Sequence, residues 1–109
     1  MNRDLKRSVP SEETLGKSVL LFISTDDPDG VPAHAKELLH LIQKKGYLVK
    51  LVNKQGFDLD DLRLVAEYRV MGTPSTLFLD AGNIVARIGR LPSDAEEVRR
   101  IFKWAHSAP

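Results

Sequence analysis

The sequence contains no cysteine. This absence excludes a disulfide, a thiolate nucleophile and a cysteine-ligated zinc site among these residues. Long apolar runs are also missing, since the longest, Val19 to Ile23, is far shorter than the about 20 residues of a membrane-spanning helix. The basic start, residues 1–7, is followed by no apolar segment and so does not resemble a signal peptide. We therefore expect a cytoplasmic location by default, although a secretory signal trimmed from the chain would leave the same sequence.

An excess of either charge is lacking as well. The 16 Lys and Arg residues nearly balance the 15 Asp and Glu residues, for a net charge of +1, and the signs are interspersed. This pattern lacks the cluster of basic residues that binds a nucleic acid. We therefore expect neither a nucleic-acid partner nor a membrane partner. A length of 109 residues predicts one core. We expect residues 1–10 to be flexible and residues 11–109 to form a single domain.

The apolar pattern predicts alternating strands and helices. Residues 18–24 carry the continuous apolar run Val19 to Ile23, which is typical of a strand covered on both faces. After a turn-rich loop, a helix is expected with an inward stripe and a stop at Gly46, with Asp29 or Gly30 as its N-cap and Pro32 in its first turn. The residues of that stripe are Ala35, Leu38, Leu39 and Ile42.

Further elements follow in the same way. A short helix is predicted to begin at residues 10–13 and to end at Gly16. Residues 47–52 predict a second buried strand, and a second long helix should begin near Asp58 and continue to Arg69. The inner face expected for that helix consists of Leu59, Leu62, Val65 and Ala66.

The last third of the chain predicts a hairpin and a helix. Strands at residues 75–79 and 84–88 are joined by Asp80-Ala81-Gly82-Asn83, whose residue types suit a tight turn. Ser93 and Glu96 resemble a capping box that opens the final helix. Its inward residues are expected to be Val98, Ile101, Phe102 and Ala105. The order predicts an α/β fold with a mixed sheet of about four strands, β-α-β followed by β-β-α.

A family resemblance rests on the segment from Met71 to Ser93. Its Met-Gly-Thr-Pro-Ser start, the two strands and the Gly-Arg-Leu-Pro-Ser end resemble the C-terminal half of thioredoxin-fold proteins. The resemblance implies a three-layer α/β/α domain with a cis peptide bond before Pro74. Aligned on that family, the two positions of its Cys-x-x-Cys motif match Asp29 and Pro32. The scaffold is therefore implied without its redox residues.

The same resemblance implies a binding role. In thioredoxin-like proteins the residue before the cis-proline, here Thr73, offers its main-chain groups to an extended peptide or to glutathione. We expect a non-catalytic protein-binding, adaptor or assembly-factor domain whose partner is a protein or an extended peptide segment. The residues expected around this groove are Met71, Thr73, Pro74, Ser75 and Leu91, together with the loop residues Asp29, Gly30, Val31 and Pro32.

Neither a metal nor a cofactor is expected. The acidic cluster Asp26, Asp27 and Asp29 is interrupted by a proline and lacks the later Glu of a calcium loop, so it is interpreted as a solvated turn. The three histidines, His34, His40 and His106, lack the spacing of a metal pair on one helix face.

Three alternatives stay open at this point. One is a thiol-disulfide oxidoreductase whose cysteines were lost or substituted, and another is a glutathione-binding relative. The third is a KaiB-like signalling module, which would share the first β-α-β unit but not the thioredoxin-type hairpin. The sequence leaves the oligomeric state and the identity of any partner open.

Overall fold

The computed structural model describes residues 13–107. Within this range the predicted order of strands and helices is confirmed. The elements are β1 (Lys17–Ile23), α1 (Ala33–Lys44), β2 (Leu48–Asn53), α2 (Leu59–Glu67), β3 (Ser75–Asp80), β4 (Asn83–Ile88) and α3 (Ala95–Ser107), with a one-turn 3₁₀ helix at Pro28–Gly30. The segment expected to be flexible, residues 1–10, lies outside the described residues. The predicted short first helix lies partly outside them, and residues 13–16 form a turn.

The four strands form one mixed sheet in the order β2-β1-β3-β4. β1 is parallel to β2 and antiparallel to β3, and β3 is antiparallel to β4. Phe22 of β1 lies opposite Val52 on one side and Ser75 on the other. The central position of β1 explains its unbroken apolar run, because both of its faces are covered. This arrangement confirms the predicted α/β class.

Helices cover the two faces of the sheet unequally. One face carries the larger core cluster, Val19, Leu21, Leu38, Ile42, Tyr47, Phe78, Ala95, Val98 and Phe102, to which α1 and α3 contribute. The other face carries Leu20, Phe22, Val52, Val70, Leu77 and Leu79, covered by α2. Each fully buried side chain of this size contributes about 1.5–3 kcal/mol. The result is the three-layer architecture that was expected.

The predicted inner face of α2 is confirmed for Val65 and wrong for Leu59, Leu62 and Ala66. Leu59 is 80% exposed and Leu62 40% exposed, while the residues that contact the core are Leu64, Val65 and Tyr68. The cause is Asp61, which is buried and turned towards β2. Its Oδ2 accepts the Asn53 N–H at 3.1 Å, and its Oδ1 lies 3.1 Å from Lys50 Nζ. These polar contacts rotate the helix relative to the orientation that the leucines predict.

The predicted cap of α1 is also wrong. The N-cap position is occupied by Pro32, whose side chain makes no capping hydrogen bond. Asp29 instead donates its N–H to Asp27 Oδ1 at 2.9 Å within the 3₁₀ turn. The physical reason is Pro32, because a proline disfavours the helical conformation of the residue before it. Val31 is accordingly extended, with φ −65° and ψ 124°, and separates the turn from α1.

The capping box of α3 is shifted by one residue from its predicted place. Asp94 Oδ1 accepts the Glu97 N–H at 2.8 Å, so Asp94 acts as the cap instead of Ser93. Glu97 reaches back in place of Glu96, and its Oε1 accepts the Ser93 N–H at 2.7 Å. The shift follows from Arg90, which pairs with Glu97 across the preceding turn.

Candidate binding groove

Two chain segments, residues 70–75 and 87–89, form a groove with a volume of about 410 Å³. The first segment leads into β3 and the second ends β4. Four of the residues predicted for a binding site lie together in its wall, namely Met71, Thr73, Pro74 and Ser75. The groove lies beside the carboxyl end of β1, since Phe22 pairs with Ser75.

The main chain of the first segment is largely unpaired. Among residues 13–107, the N–H groups of Met71, Gly72 and Thr73 donate to no backbone carbonyl. The Met71 carbonyl accepts from Lys54 Nζ at 3.1 Å. The peptide bond between Thr73 and Pro74 is cis. Thr73 is half-buried and Pro74 is exposed. The groove therefore presents backbone donors and acceptors to any ligand that enters it.

Two glycines keep the groove open. A Cβ atom added at Gly72 or at Gly89 would meet no atom within 4 Å. Neither residue has a positive φ, so their backbone conformations would also accept a side chain. The absence of side chains at both positions leaves the main chain itself as the surface of the groove.

Arg87 is the charged side chain in the groove wall. It lies on β4 opposite Leu77, is exposed, and forms no ion pair within the described part of the chain. The sequence analysis did not single it out. Its position two residues before Gly89 was the available signal, because the end of β4 must lie beside the start of β3 in an antiparallel hairpin.

The remaining predicted site residues lie outside the groove wall. Gly30 and Pro32 are exposed in the loop that follows β1, as is Asp29, and Val31 is half-buried there. A Cβ at Gly30 would approach Thr25 Oγ1 to 2.7 Å, so this glycine serves the tight packing of the loop. The loop and the groove share the same end of the sheet.

Leu91 also lies outside the groove wall. It is half-buried and packs against the larger core cluster. Its segment is fixed from two directions, because Thr76 Oγ1 donates to the Arg90 carbonyl at 2.8 Å and His34 Nε2 lies 3.1 Å from the Pro92 carbonyl. The chain immediately after the groove is therefore tied to both β3 and α1.

A bidentate ion pair completes that support. Arg90 donates from Nη1 to Glu97 Oε1 at 2.8 Å and from Nη2 to Glu97 Oε2 at 2.6 Å. These hydrogen bonds, with that from the Ser93 N–H, lower the pKa of Glu97 to about 2. The same pairing raises the pKa of Arg90. Both partners stay charged near neutral pH, so the turn between β4 and α3 is held rigidly.

Among residues 13–107, no carboxylate, histidine or lysine lines the groove wall. Within residues 13–107, no three His, Asp or Glu side chains are grouped so as to hold a metal ion. In the same range no helix has the length and apolar character that crossing a bilayer requires. The chemistry that this groove offers is thus hydrogen bonding by the main chain and attraction of a negative charge by Arg87.

Comparison with known proteins shows which solved structures share this architecture. The sequence matches no protein-family model and no curated protein. Solved structures do match, among them a Fasciola hepatica thioredoxin with a TM-score of 0.51 and 18% identity, covering 84% of this chain and 83% of that chain. The fold is thioredoxin-like.

Two further structures agree with this assignment. A structure described as DsbH oxidoreductase has a TM-score of 0.52 and 17% identity, covering 99% of this chain and 92% of that chain. A malarial protein has a TM-score of 0.53 and 16% identity, with coverages of 80% and 93%. At these identities the likeness establishes the thioredoxin-like fold alone. This chain has no cysteine with which to perform dithiol exchange.

Proposed function

We propose that this chain is a non-catalytic thioredoxin-like binding domain that holds an extended protein segment in the groove beside Pro74. The observation that supports this most is that the N–H groups of Met71, Gly72 and Thr73, which line the groove, donate to no backbone carbonyl among residues 13–107. Backbone groups that are left without partners beside a sheet are suited to pairing with a strand from another chain. As an adaptor or assembly factor, the domain would present or retain its partner without changing it covalently.

The main-chain surface of the groove supports an extended ligand. An incoming strand would hydrogen-bond to the main chain of Gly72 and Thr73, which needs no particular side chain at those positions. The Met71 side chain is 87% exposed and would pack on an apolar residue of the partner. Methionine suits such contacts because its flexible thioether adapts to different shapes.

Arg87 supports a preference for acidic segments. Its guanidinium has no carboxylate partner within residues 13–107, and it lies in a wall without negative charge. A carboxylate of the partner would fit it in bidentate geometry. The preferred segment is therefore extended, with one apolar side chain and one Asp, Glu or C-terminal carboxylate.

Selection of random peptides displayed on phage would test this proposal. Peptides enriched on the full chain should bind the Gly72→Leu variant about tenfold or more weakly, because the new side chain enters the groove from open space. The control is Gln43→Leu, which places the same side chain at an exposed position of α1 and should leave binding unchanged. Equal binding to all three proteins would place the interface elsewhere and end the proposal.

Variants of Arg87 test the preference for acidic peptides. Acidic peptides from the same selection should lose affinity for Arg87→Ala, while Arg87→Lys should retain part of it because the charge persists without the bidentate geometry. Peptides in which the acidic residue is replaced by its amide should bind all three proteins alike. Selection of basic peptides would contradict the role given to Arg87.

Two assays separate this proposal from the redox and glutathione alternatives. In insulin reduction the chain should show no turnover above buffer, since thiolate attack is required. Glutathione offers an extended backbone with two carboxylates, so it is tested as a competitor for the selected peptide. Competition at micromolar glutathione would favour the glutathione-binding alternative, and measurable insulin reduction would contradict the non-catalytic assignment.

A further inference from the structure

A second pocket lies on the α3 face of the sheet, at the end opposite to the groove. It has a volume of about 450 Å³, within the range of about 300–1,000 Å³ typical of small-molecule sites. Lys17, at the start of β1, and Tyr47, just before β2, line it together with residues of α3. Nothing in the groove proposal uses these residues.

Aromatic rings contribute an apolar wall to the pocket. Tyr47 is only 4% exposed, and its ring stacks on Phe102 with the centroids 5.4 Å apart and the planes 11° from parallel. Phe78 supports Phe102 from below in an edge-on contact at 5.4 Å. These rings are fixed by the core, so a flat apolar ligand would meet a surface that is already ordered.

Basic side chains surround this aromatic wall. Arg99, Lys103 and His106 line the pocket from α3, and their spacing of four and then three residues places them on one face of the helix. Lys17 contributes a further ammonium from β1. The acidic residue of the lining, Glu13, is already paired with Arg99 Nε at 3.2 Å.

The most available of these charges is Lys103. It is exposed and forms no ion pair within residues 13–107, whereas Lys17 lies 3.9 Å from Asp80 and Arg99 also pairs with Glu96 at 3.4 Å. The Tyr47 hydroxyl adds a donor, because burial and the charge of Glu13 raise its pKa and keep it protonated. Tyr47 lines the same pocket as Glu13 and Arg99.

We propose that this pocket binds a small organic anion with an aromatic body, whose acid group pairs with Lys103 at the rim and accepts a hydrogen bond from Tyr47. The aromatic part would lie against the rings of Tyr47 and Phe102. An alkyl alcohol lacks the charge and an inorganic anion lacks the apolar body, so neither would use both halves of the pocket.

The two sites are separated along one strand. Lys17 belongs to the pocket, whereas Phe22 pairs with Ser75 at the groove. Five residues of strand at about 3.3 Å each put them about 17 Å apart. Binding at the pocket is therefore measurable whether or not the groove binds a peptide.

The test is a titration of the full ¹⁵N-labelled chain, followed by amide chemical shifts. 4-Phenylbutyrate is the probe, and 4-phenylbutanol and 4-phenylbutylamine have the same aromatic body without the negative charge. Saturable shifts should cluster at Lys17, Tyr47 and residues 99–107 with the acid. The alcohol should bind about tenfold more weakly and the amine more weakly still.

Substitutions on α3 identify the basic side chain that pairs with the acid group of the probe. Lys103→Glu should weaken phenylbutyrate binding about tenfold or more, while Arg100→Glu, an exposed arginine on the same helix outside the pocket lining, should change it less than about twofold. Tyr47→Phe keeps the stacked ring and removes the hydroxyl. It should weaken binding of phenylbutyrate more than binding of phenylbutanol.

Several results would overturn the proposal. These are equal affinity for the acid and the amine, equal weakening by Lys103→Glu and Arg100→Glu, shifts that cluster outside the pocket, or no saturable shift. Occupation of the pocket by residues 1–12 of the chain, detected as contacts from those residues to Tyr47, would have the same consequence.

Discussion

Glu97 is the carboxylate that holds the turn between β4 and α3 together. Because its pKa is lowered from 4.5 to about 2 in the folded protein, its interactions stabilise the fold fully above the unfolded value. That contribution is lost as the pH falls from about 4.5 towards about 2. The loss follows because the unfolded state then binds a proton that the folded state resists.

We therefore predict that Glu97→Gln lowers stability at neutral pH and flattens the acid part of the stability profile. The difference in free energy of unfolding between wild type and variant should shrink as the pH falls through that window. Urea unfolding at a series of pH values measures it. Glu67→Gln is the control, since Glu67 is exposed and pairs with Arg63 on its own helix, and its effect should be small at every pH.

A second residue-scale prediction concerns Asp61, the buried carboxylate of α2. Asp61→Ala should lower the free energy of unfolding by about 1–3 kcal/mol, because the partly buried Asn53 N–H loses its acceptor. Lys50 adds little to this cost, since its side chain is 44% exposed and can be solvated. Denaturant unfolding of Asp60→Ala provides the comparison, because the neighbouring Asp60 side chain is 75% exposed and its loss should cost less than about 1 kcal/mol. Equal losses in both variants would refute the role of Asp61.

Among the three α-helices, α2 buries no apolar side chain fully and is held most loosely. α1 buries Ala35, Leu38 and Ile42 completely, whereas α2 meets the core through half-buried side chains. Apolar residues at its start, including Leu59, remain in water. Few buried apolar contacts lower the free energy of local opening.

We predict that amide protons of α2 exchange with solvent about tenfold or more faster than those of α1 under native conditions. Hydrogen exchange followed by NMR measures both helices in one sample. The Asp61→Ala variant should accelerate exchange in α2 further and leave α1 unchanged. Equal protection of the two helices would show that the apolar exposure of Leu59 and Leu62 does not weaken α2.

At the scale of the whole molecule, the groove and the α3 pocket occupy opposite ends of β1. β1 is an inner strand of the sheet, with Val19, Leu21 and Phe22 fully buried, and we expect it to be rigid. A rigid strand between two sites transmits no change unless it has two arrangements. We predict that saturation with phenylbutyrate changes the affinity of the groove for its selected peptide by less than about twofold. Isothermal titration with and without the acid measures this, and a larger change would reveal coupling through the sheet.

Much of this organisation could be predicted from residue patterns. The continuous apolar run of β1, the turn Ala81-Gly82 and the stripe of α1 each express a local rule of burial or backbone conformation. Ala81 and Gly82 indeed adopt positive φ values of 52° and 83°, as a two-residue hairpin requires. Where a single neighbour in space competed with the local pattern, the prediction failed, as it did for the inner face of α2.

The amino-acid sequence by itself determined the order of elements, the absence of thiol chemistry and the Met71–Ser75 segment, because these depend on residue type and near neighbours. Tertiary structure alone decided three other features. Asp61 rotated α2 by reaching the edge strand, Arg90 moved the cap of α3 from Ser93 to Asp94, and the hairpin register brought Arg87 to the groove. Each of these depends on atoms that are distant in sequence and meet only after the sheet has formed.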